Sequence, residues 1–340
     1  MAKANTEPQA PPRVVVVGGG TGSYTALQGL KHYTDLLTAV VSVADDGGSS
    51  GRLRDEFGHL PPGDLRKCLL AMSPSDEVGE VLRRLLDYRF DRGEGLDGHN
   101  FGNLLLTALT EVTGGPELAI REVSRLLQIR GRVLPVTLHD TRLVAELDDG
   151  TIIRGEANID VRTVKPEVPI RRVYLDPEPE VHRETREALL QADVIVIGPG
   201  DLYTSVLPNL LVHGLSQAIR ESSGTKVFVC NLMTKHGETD DFRASAFVAE
   251  ALRYLGPGGA ISHLLLNAAS FPHAVLERYA QERSFPVEGD VERCLELVGA
   301  VVSTPLAAAG TLARHDPDLL AQQILRIVRP RSLTHATKRS

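Results

Sequence analysis

The sequence contains no tryptophan and few other aromatic residues, with 8 Phe and 7 Tyr among 340 residues. A surface that binds single-stranded nucleic acid by stacking needs aromatic rings, so this composition argues against that class of protein. It also excludes a sugar- or base-binding platform built on Trp. Recognition of a base or a sugar would have to rest on backbone amides and polar side chains.

Basic residues are outnumbered by acidic ones. The chain has 37 Lys and Arg against 44 Asp and Glu, which gives a formal net charge of −7. A protein that binds nucleic-acid phosphates without regard to sequence needs a positive excess, so we expect no nucleic-acid partner. A local anion site stays open, provided that its own groups offset the negative charge of the chain.

Cysteine is scarce, and long apolar runs are missing. Cys68, Cys230 and Cys294 are far apart and form no Cys-x-x-Cys pair, which argues against a disulfide framework and a thiolate zinc site. Residues 1–12 are polar, and no run approaches about 18 apolar residues. We therefore expect a cytoplasmic protein that is not inserted in a membrane.

What is present is an alternation of apolar runs and helical patterns. The predicted strands cover residues 13–17, 38–44, 194–197, 226–230 and 263–266. Apolar strands that alternate with helices indicate a parallel sheet covered by helices on both faces. Because the loops after these strands should share one cleft, we predict a single Rossmann-like α/β domain over residues 13–330. Residues 1–12 and 331–340 are expected to be tails.

Two segments interrupt this alternation. Residues 63–131 have a helical pattern, with Asp64 and Ser75 as candidate helix caps. An Asp-Gly turn at residues 148–150 joins two runs that alternate apolar and polar residues, which predicts a hairpin. We therefore expect a β-rich insertion at about residues 133–175.

The strongest local motif is a glycine loop directly after the first strand. Three consecutive glycines, with Gly19 and Gly20 as the second and third, precede Thr21 and Gly22. Glycines let the backbone approach a ligand closely, and the amides of a following helix attract phosphate. The loop lacks the Lys-Ser/Thr ending of a P-loop, and Ser23 replaces the third glycine of the dinucleotide fingerprint. It predicts a phosphate cradle; the alternative is a tight turn without ligand.

Two adjacent carboxylates, Asp45 and Asp46, follow the second strand and precede Gly47. A dinucleotide-binding fold places a carboxylate here for the ribose hydroxyls. The pair could also hold Mg²⁺ against a diphosphate, or form a solvated acidic turn. These three alternatives stay open from the residues alone.

Later loops also follow strands, and ligands of open parallel sheets bind beyond the carboxyl ends of the strands. The residues singled out in these loops are Gly198, Gly200, Thr234, Gly237, Glu238, Thr239 and Asn267. The segment 237–239 is expected to lie just before a helix that begins near Asp241. We predict that these loops converge on one cleft with the glycine loop and the Asp pair.

Two side chains farther along the chain are additional candidates. Arg314 precedes a helix start at residues 316–317, where its guanidinium would suit phosphate or a sugar acid. The alternative is a surface Arg paired with a carboxylate. Tyr279 could belong to the core or place its ring against a base or sugar.

Motifs of known catalytic chemistry are missing from the sequence. It has no Gly-x-Ser-x-Gly elbow, no His-Glu-x-x-His pair and no recognisable nucleophile with its base. This absence favours ligand binding over catalysis.

Six motifs in order resemble the bacterial gluconeogenesis factor family, often called YvcK. They are VVVVGGGTGSYTALQGLK, VADDGGSSGRLRDEFG followed by PPGDLRKCLLA, GHNFGNLLL, IGPGDLYTSVLPNLLV, NLMTKHGET and ARHDP. The resemblance extends from about residue 14 to residue 328. It implies a Rossmann-like protein of the 2-phospho-L-lactate transferase (CofD-like) superfamily, whose gluconeogenesis factor branch contains regulators that bind UDP-N-acetylglucosamine and support cell shape and envelope synthesis.

The resemblance also implies which residues line a nucleotide-sugar cleft. They are Gly19 to Gly22, Asp45, Asp46, Asn100, Asn103, Thr234, Gly237 to Thr239, Tyr279 and Arg314. Two positions depart from the family pattern. Asp201 stands where relatives often have Ser and would repel a diphosphate unless paired or metal-bound. Pro317 stands where some relatives have a Thr available to a kinase, so we expect no phosphorylation there.

Three functional hypotheses follow. The first is a non-catalytic sensor that needs no cofactor, binds a UDP-sugar and contacts a protein of envelope-precursor synthesis. The second is an enzyme similar to the phospholactate transferases, in which Asp45 and Asp46 hold Mg²⁺. The third is an NAD-binding protein, supported only by the strand-glycine-helix-acid pattern. A homodimer is expected by analogy.

Overall fold

The computed structural model describes residues 10–74 and 77–328. Its strands are β1 (Val14–Gly18), β2 (Leu37–Val41), β3 (Arg132–Pro135), β4 (Arg142–Leu147), β5 (Ile152–Arg154), β6 (Ile170–Asp176), β7 (Val194–Ile197), β8 (Thr225–Val229), β9 (His263–Asn267) and β10 (Ala300–Thr304). Seven of them form one parallel sheet in the order β10-β9-β8-β7-β1-β2-β3. The predicted α/β Rossmann-like fold is confirmed.

Helices surround this sheet. They are α1 (Gly20–Leu30), α2 (Gly48–Phe57), α3 (Gly63–Met72), α4 (Glu77–Asp87), α5 (Phe101–Thr113), α6 (Pro116–Leu126), α7 (Glu156–Asp160), α8 (Arg183–Gln191), α9 (Leu207–Leu210), α10 (Leu215–Glu221), α11 (Ala244–Leu255), α12 (His273–Gln281), α13 (Val291–Leu297) and α14 (Pro317–Val328), with a π-helical turn at Leu202–Val206. Helices α3 to α6 account for the predicted helical segment.

The central strands are buried on both faces because their side chains alternate between two cores. Val14 and Val16 of β1 pack in one apolar cluster with α1, α3 and α14. Val15 and Val17 point to the opposite cluster, which contains residues of α8, α10 and α11. Four consecutive valines are therefore consistent with a strand that has no solvent-facing side.

The three remaining strands form a separate antiparallel sheet in the order β5-β4-β6. This sheet, with α7, is the β-rich insertion, and Leu143, Leu147 and Ile159 join the same core cluster as α8, α10 and α11. The structure differs from the expected start of the insertion at residue 133, because β3 pairs in parallel with β2. That residues 13–330 form a single domain stays a prediction.

Two local expectations were wrong. Asp64 does not cap its helix: Pro62 is the N-cap residue of α3, and Asp64 lies inside the first turn. The helix expected near Asp241 begins at Ala244, since Asp241 has φ +59°, which a helix start does not allow. Ser75 lies outside the described residues.

All three cysteines are buried and free. Cys68 lies on α3, Cys230 directly follows β8 and Cys294 lies on α13. Burial raises the pKa of each thiol, that of Cys294 to about 12. Separately, none of the helices within residues 10–74 and 77–328 has both the length and the apolar character needed to cross a membrane.

Candidate functional site

The order in which strands are added to the sheet reverses at β1. The chain continues from β1 to β2 on one side, and returns later to place β7 on the other side. In open α/β sheets this switch point is where ligands bind. The glycine loop and the loop after β7 touch here, because a Cβ on Gly22 would overlap the backbone carbonyl of Pro199. Only glycine allows this approach.

A cavity of about 380 Å³ opens beside these two loops, beyond the carboxyl ends of β1, β7 and β8. Six predicted site residues line it: Thr21, Gly22, Gly200, Thr234, Tyr279 and Arg314. The loops after these three strands thus meet in one place. We call this cavity the crevice.

The amino end of α1 faces the crevice with its first turn. Gly19 is the N-cap residue and has no side chain to cap the helix, and of the first-turn amides that of Gly20 is bonded to the Asp64 carboxylate. Thr21 and Gly22 of that turn line the crevice. Helix amides without internal partners attract anions.

A loop at residues 307–315 folds back over the crevice and carries Arg314. The N–H of Ala308 donates to the carbonyl of Arg314 (2.8 Å), and the hydroxyl of Tyr279 accepts from the N–H of Ala313 (3.2 Å). Among the described residues the Arg314 guanidinium forms no hydrogen bond or ion pair, whereas most arginines in the chain are paired. It is available to an anion.

His315 lies in the wall of the crevice and is buried. Burial lowers the pKa of its imidazole to about 4, and a hydrogen bond to the backbone of Cys230 opposes this shift. The ring is neutral at pH 7 and adds no positive charge to the site.

Lys235 also lines the crevice, and its ammonium contacts three carboxylates. The distances are 2.8 Å to Asp201 and 2.9 Å to Glu238, and Asp160 of α7 is the third partner. Burial disfavours the ammonium, but these carboxylates outweigh burial and raise the pKa of Lys235. Asp201 stands where relatives often have Ser, and the negative charge that it adds is compensated by its ion pair with Lys235.

The same three carboxylates could hold a metal ion. Asp160, Asp201 and Glu238 offer oxygens that all lie within 4.8 Å of one another. Glu238 is completely buried at its side chain, and its Oε2 has no hydrogen-bond partner among the described residues. Burial and the neighbouring acids raise the pKa of Glu238 to about 7, against the lowering effect of Lys235.

A second acidic group lies on the other side of β1. Asp64 accepts the N–H of Gly20 (2.9 Å) and pairs with Lys67 (3.0 Å). Burial, and then the charge of Asp64, raises the pKa of Asp45. Asp64 therefore binds an amide of the glycine loop, although it lies 44 residues farther along the chain.

The two members of the Asp pair have different partners. Asp45 accepts the N–H of Gly47 (3.0 Å), whereas Asp46 accepts the N–H of Ala157 (2.8 Å) and faces Arg142 (3.6 Å). The Asp46 carboxylate thus holds the insertion against the sheet. As a metal ligand it fits poorly, because both of its oxygens already have partners.

Helix α7 extends between the two acidic groups. Glu156 at its first residue is surrounded by Asp45, Asp46 and Asp64, and burial followed by these charges and Asp160 raises the pKa of Glu156 to about 9. Asp160 at its last residue contacts Lys235. The insertion therefore covers part of the carboxyl edge of the sheet.

The remaining predicted site residues do not line the crevice. Asn100 caps α5 by accepting the N–H of Asn103 (3.1 Å), and Asn103 bonds Ser50 and Arg66. Glu238 lies behind Lys235, and Thr239 accepts the N–H of Lys235 (2.9 Å). The other residues placed outside the crevice lining are Gly19, Gly20, Asp45, Asp46, Gly47, Gly198 and Gly237. Their ligand-binding roles stay predictions.

A smaller cavity of about 250 Å³ adjoins the crevice and shares Asn231 and Leu232 with it. Asn267 lines it, but its amide is occupied: Oδ1 accepts the N–H groups of Ala269 (3.1 Å), Leu306 (2.9 Å) and Ala307 (3.2 Å). Asn267 holds the ends of β9 and β10 together.

Sequence reasoning missed several side chains of this region. Lys235, Asp160 and Glu156 were not singled out, and Asp64 was assigned to helix capping only. Lys235 lies in a loop that directly follows β8, which was a usable signal. The partnership with Asp160 joins residues 75 positions apart and has no local signal.

The family model for 2-phospho-L-lactate transferase CofD matches residues 14–307. The chain belongs to the CofD family. Within it, the chain is 43% identical to the gluconeogenesis factor of Halalkalibacterium halodurans, over 92% of this chain and 95% of that protein. It is 38% identical to the gluconeogenesis factor of Bacillus subtilis, over 94% of this chain and 98% of that protein.

A solved structure supports the fold. A crystal structure of a UPF0052 family member from Bacillus halodurans superimposes with a TM-score of 0.87 at 41% identity, covering 93% of this chain and all of that one. The sequence resemblance to the gluconeogenesis factor family is confirmed by these relatives.

Proposed function

We propose that this protein is a gluconeogenesis factor that binds a UDP-sugar, UDP-N-acetylglucosamine, in the crevice and acts as a regulator rather than a catalyst. The observation that carries this proposal is that one cavity of about 380 Å³ is lined both by Arg314, whose guanidinium has no partner among the described residues, and by Thr21 and Gly22 of the first turn of α1. A diphosphate fits between a guanidinium and a helix amino end. The relatives are named gluconeogenesis factors, which supports the metabolic role.

The regulatory part of the proposal follows from what a ligand can do at this position. The crevice is lined by three strand ends and by the loop at residues 307–315. A ligand shifts the protein toward the state that it binds more tightly. The bound state would then contact an enzyme of envelope-precursor synthesis, and a homodimer belongs to the same proposal.

Calorimetric titration tests the ligand. The purified protein is titrated with UDP-N-acetylglucosamine, UDP-glucose, GDP and NAD, each with and without Mg²⁺. Binding of the UDP-sugars without product formation supports the sensor. Binding of GDP with Mg²⁺ alone, or of NAD alone, would remove it.

Arg314→Ala tests the residue on which the proposal depends. Loss of a hydrogen bond to a charged partner should weaken UDP-N-acetylglucosamine binding by roughly 1–3 kcal/mol, without change in the melting temperature. Arg130→Ala removes the same charge at the opposite end of the sheet and serves as the control. Equal affinities in the two variants would exclude Arg314 from the site.

A second candidate function, that of a transferase, is supported by a different observation. Asp45 and Asp64 lie close together beside Gly20, where carboxylates could hold Mg²⁺ next to a phosphate. This arrangement suits a transferase like the one that names the family model. Incubation with 2-phospho-L-lactate joined through its phosphate to GMP, together with an alcohol acceptor and Mg²⁺, tests it, and acceptor-dependent release of GMP would favour the enzyme over the sensor.

A further inference from the structure

Lys235 joins three separate segments of the chain at the edge of the crevice. Its ammonium contacts Asp160 of α7, Asp201 of the loop after β7, and Glu238 of its own loop. Thr204 links two of these acids, since its hydroxyl lies 3.5 Å from Asp160 and 3.4 Å from Glu238. One cation therefore holds α7 against the main domain at this point.

The same lysine faces the cavity. Lys235 lines the crevice together with Gly200, Thr234 and Arg314, and its side chain is 26% exposed. A lysine has a flexible four-carbon stem and three rotatable N–H donors. Its ammonium can turn from the carboxylates toward an anion in the crevice without movement of the backbone.

We propose that Lys235 is a phosphate-binding residue that exchanges partners: an anionic ligand in the crevice takes its ammonium from Asp160, Asp201 and Glu238, and α7 loses the contact that holds its last residue. The ligand class is a diphosphate ester. This inference rests on the proposed function, because it uses the same crevice and the same UDP-sugar.

The exchange of partners by Lys235 changes the charge balance around Glu238. Three carboxylates face one lysine, so departure of the ammonium would leave Glu238 buried and unpaired, which is costly. Arg162 and the Thr204 hydroxyl also face Glu238, so this carboxylate keeps polar neighbours when the ammonium leaves.

The first test compares ligand affinity between charge-matched variants. Lys235→Gln should weaken UDP-N-acetylglucosamine binding at least about 10-fold, as expected for a lost contact to a charged group. The double variant Lys235→Gln/Glu238→Gln has the net charge of the wild type and should stay weak. Lys165→Gln, which breaks an ion pair with Asp149 in the insertion, should bind as the wild type does.

The second test follows α7 by hydrogen exchange. In the wild type, saturating UDP-N-acetylglucosamine should accelerate exchange at residues 156–160. In Asp160→Asn, which keeps Lys235, exchange there should be fast without ligand and unresponsive to it, while binding is retained.

The outcomes separate this inference from the proposed function. Failure of the wild type to bind any UDP-sugar contradicts the proposed function, and with it the inference. If the wild type binds but the double variant recovers full affinity, Lys235 serves only to balance charge and the inference is wrong. Unchanged exchange at α7 on ligand binding would also overturn it.

Discussion

The sheet has a cavity at each end, and the two are nearly the same in volume. The crevice at the carboxyl ends measures about 380 Å³, and a cavity at the amino ends of β1, β2 and β3 measures about 390 Å³. The second contains more arginine, but its charges are paired: Arg13 with Asp193 (2.9 Å) and Arg130 with Asp35 (3.8 Å). Charge and volume alone do not distinguish the two.

The two cavities differ in which end of the parallel strands they adjoin. Parallel strands place every strand-to-helix turn at the carboxyl end, so glycine loops and helix amino ends collect there. The amino end receives helix carboxyl ends, which do not attract anions. The crevice also holds buried titratable groups, the neutral His315 and Lys235 among three acids. The amino-end cavity should bind no phosphate ligand.

The largest expected effect comes from Gly22→Ala. The added Cβ overlaps the backbone carbonyl of Pro199, so the two loops must separate, at a cost of about 3 kcal/mol together with loss of UDP-sugar binding. Gly310→Ala, where a Cβ meets nothing within 4 Å, is the control. Urea unfolding and calorimetry measure both effects; a Gly22→Ala protein of normal stability would show that the loops are not in contact.

A smaller effect should follow from His315. Its folded-state pKa of about 4 lies below the ordinary 6.5, so the unfolded chain binds the extra proton and stability falls as pH decreases through this window. Between pH 7 and pH 5 the loss should be about 2 kcal/mol. Unfolding curves of the wild type and His315→Gln at both pH values measure it. An identical pH response in the two proteins would contradict the burial of a neutral imidazole.

Glu156 should show the opposite pH dependence. Its pKa is raised to about 9, so the folded protein holds the proton more tightly, and stability falls as pH increases from about 4.5 toward 9. The size is limited because the carboxyl group is partly exposed and water screens it. Glu156→Gln should be more stable than the wild type at pH 8.5, with a difference that shrinks at pH 5. A constant difference would indicate a packing effect instead.

The smallest effect is expected at the amino-end cavity. Arg13→Ala breaks an exposed pair with Asp193, and exposed pairs contribute little to stability. UDP-sugar affinity should change less than about twofold, within the range of surface substitutions. Weaker binding in this variant would remove the contrast between the two ends of the sheet.

The parts of the site that sequence could predict are those set by local patterns. Four valines followed by three glycines specify a buried strand and a tight turn, and strand direction then brings Gly22, Gly200 and Thr234 to one edge. The position of Arg314 followed from the residues that open α14. Periodicity and turn chemistry were sufficient for these elements.

The parts that sequence could not predict depend on contacts across long separations. Nothing in the pattern around Glu156 and Asp160 shows that α7 lies between two acidic groups. Asp64 has the sequence context of a helix cap, yet its carboxylate meets the amide of Gly20 because α3 packs beside α1. Asn100 and Asn103 belong to a motif of the resemblance, but the backbone N–H of Asn100 donates to Ser49 and the side-chain amide of Asn103 donates to Ser50, so both hold α5 against α2.

The three buried cysteines can be used to measure local opening of the structure. Each thiol is shielded from solvent and kept protonated, so an alkylating reagent reaches it only when the surrounding structure opens. Cys230 lies in the core directly before Asn231 of the crevice, whereas Cys68 and Cys294 lie on helices of opposite faces of the sheet. The labelling rate of each cysteine therefore measures the opening of a different region, and the native protein carries these probes without any substitution.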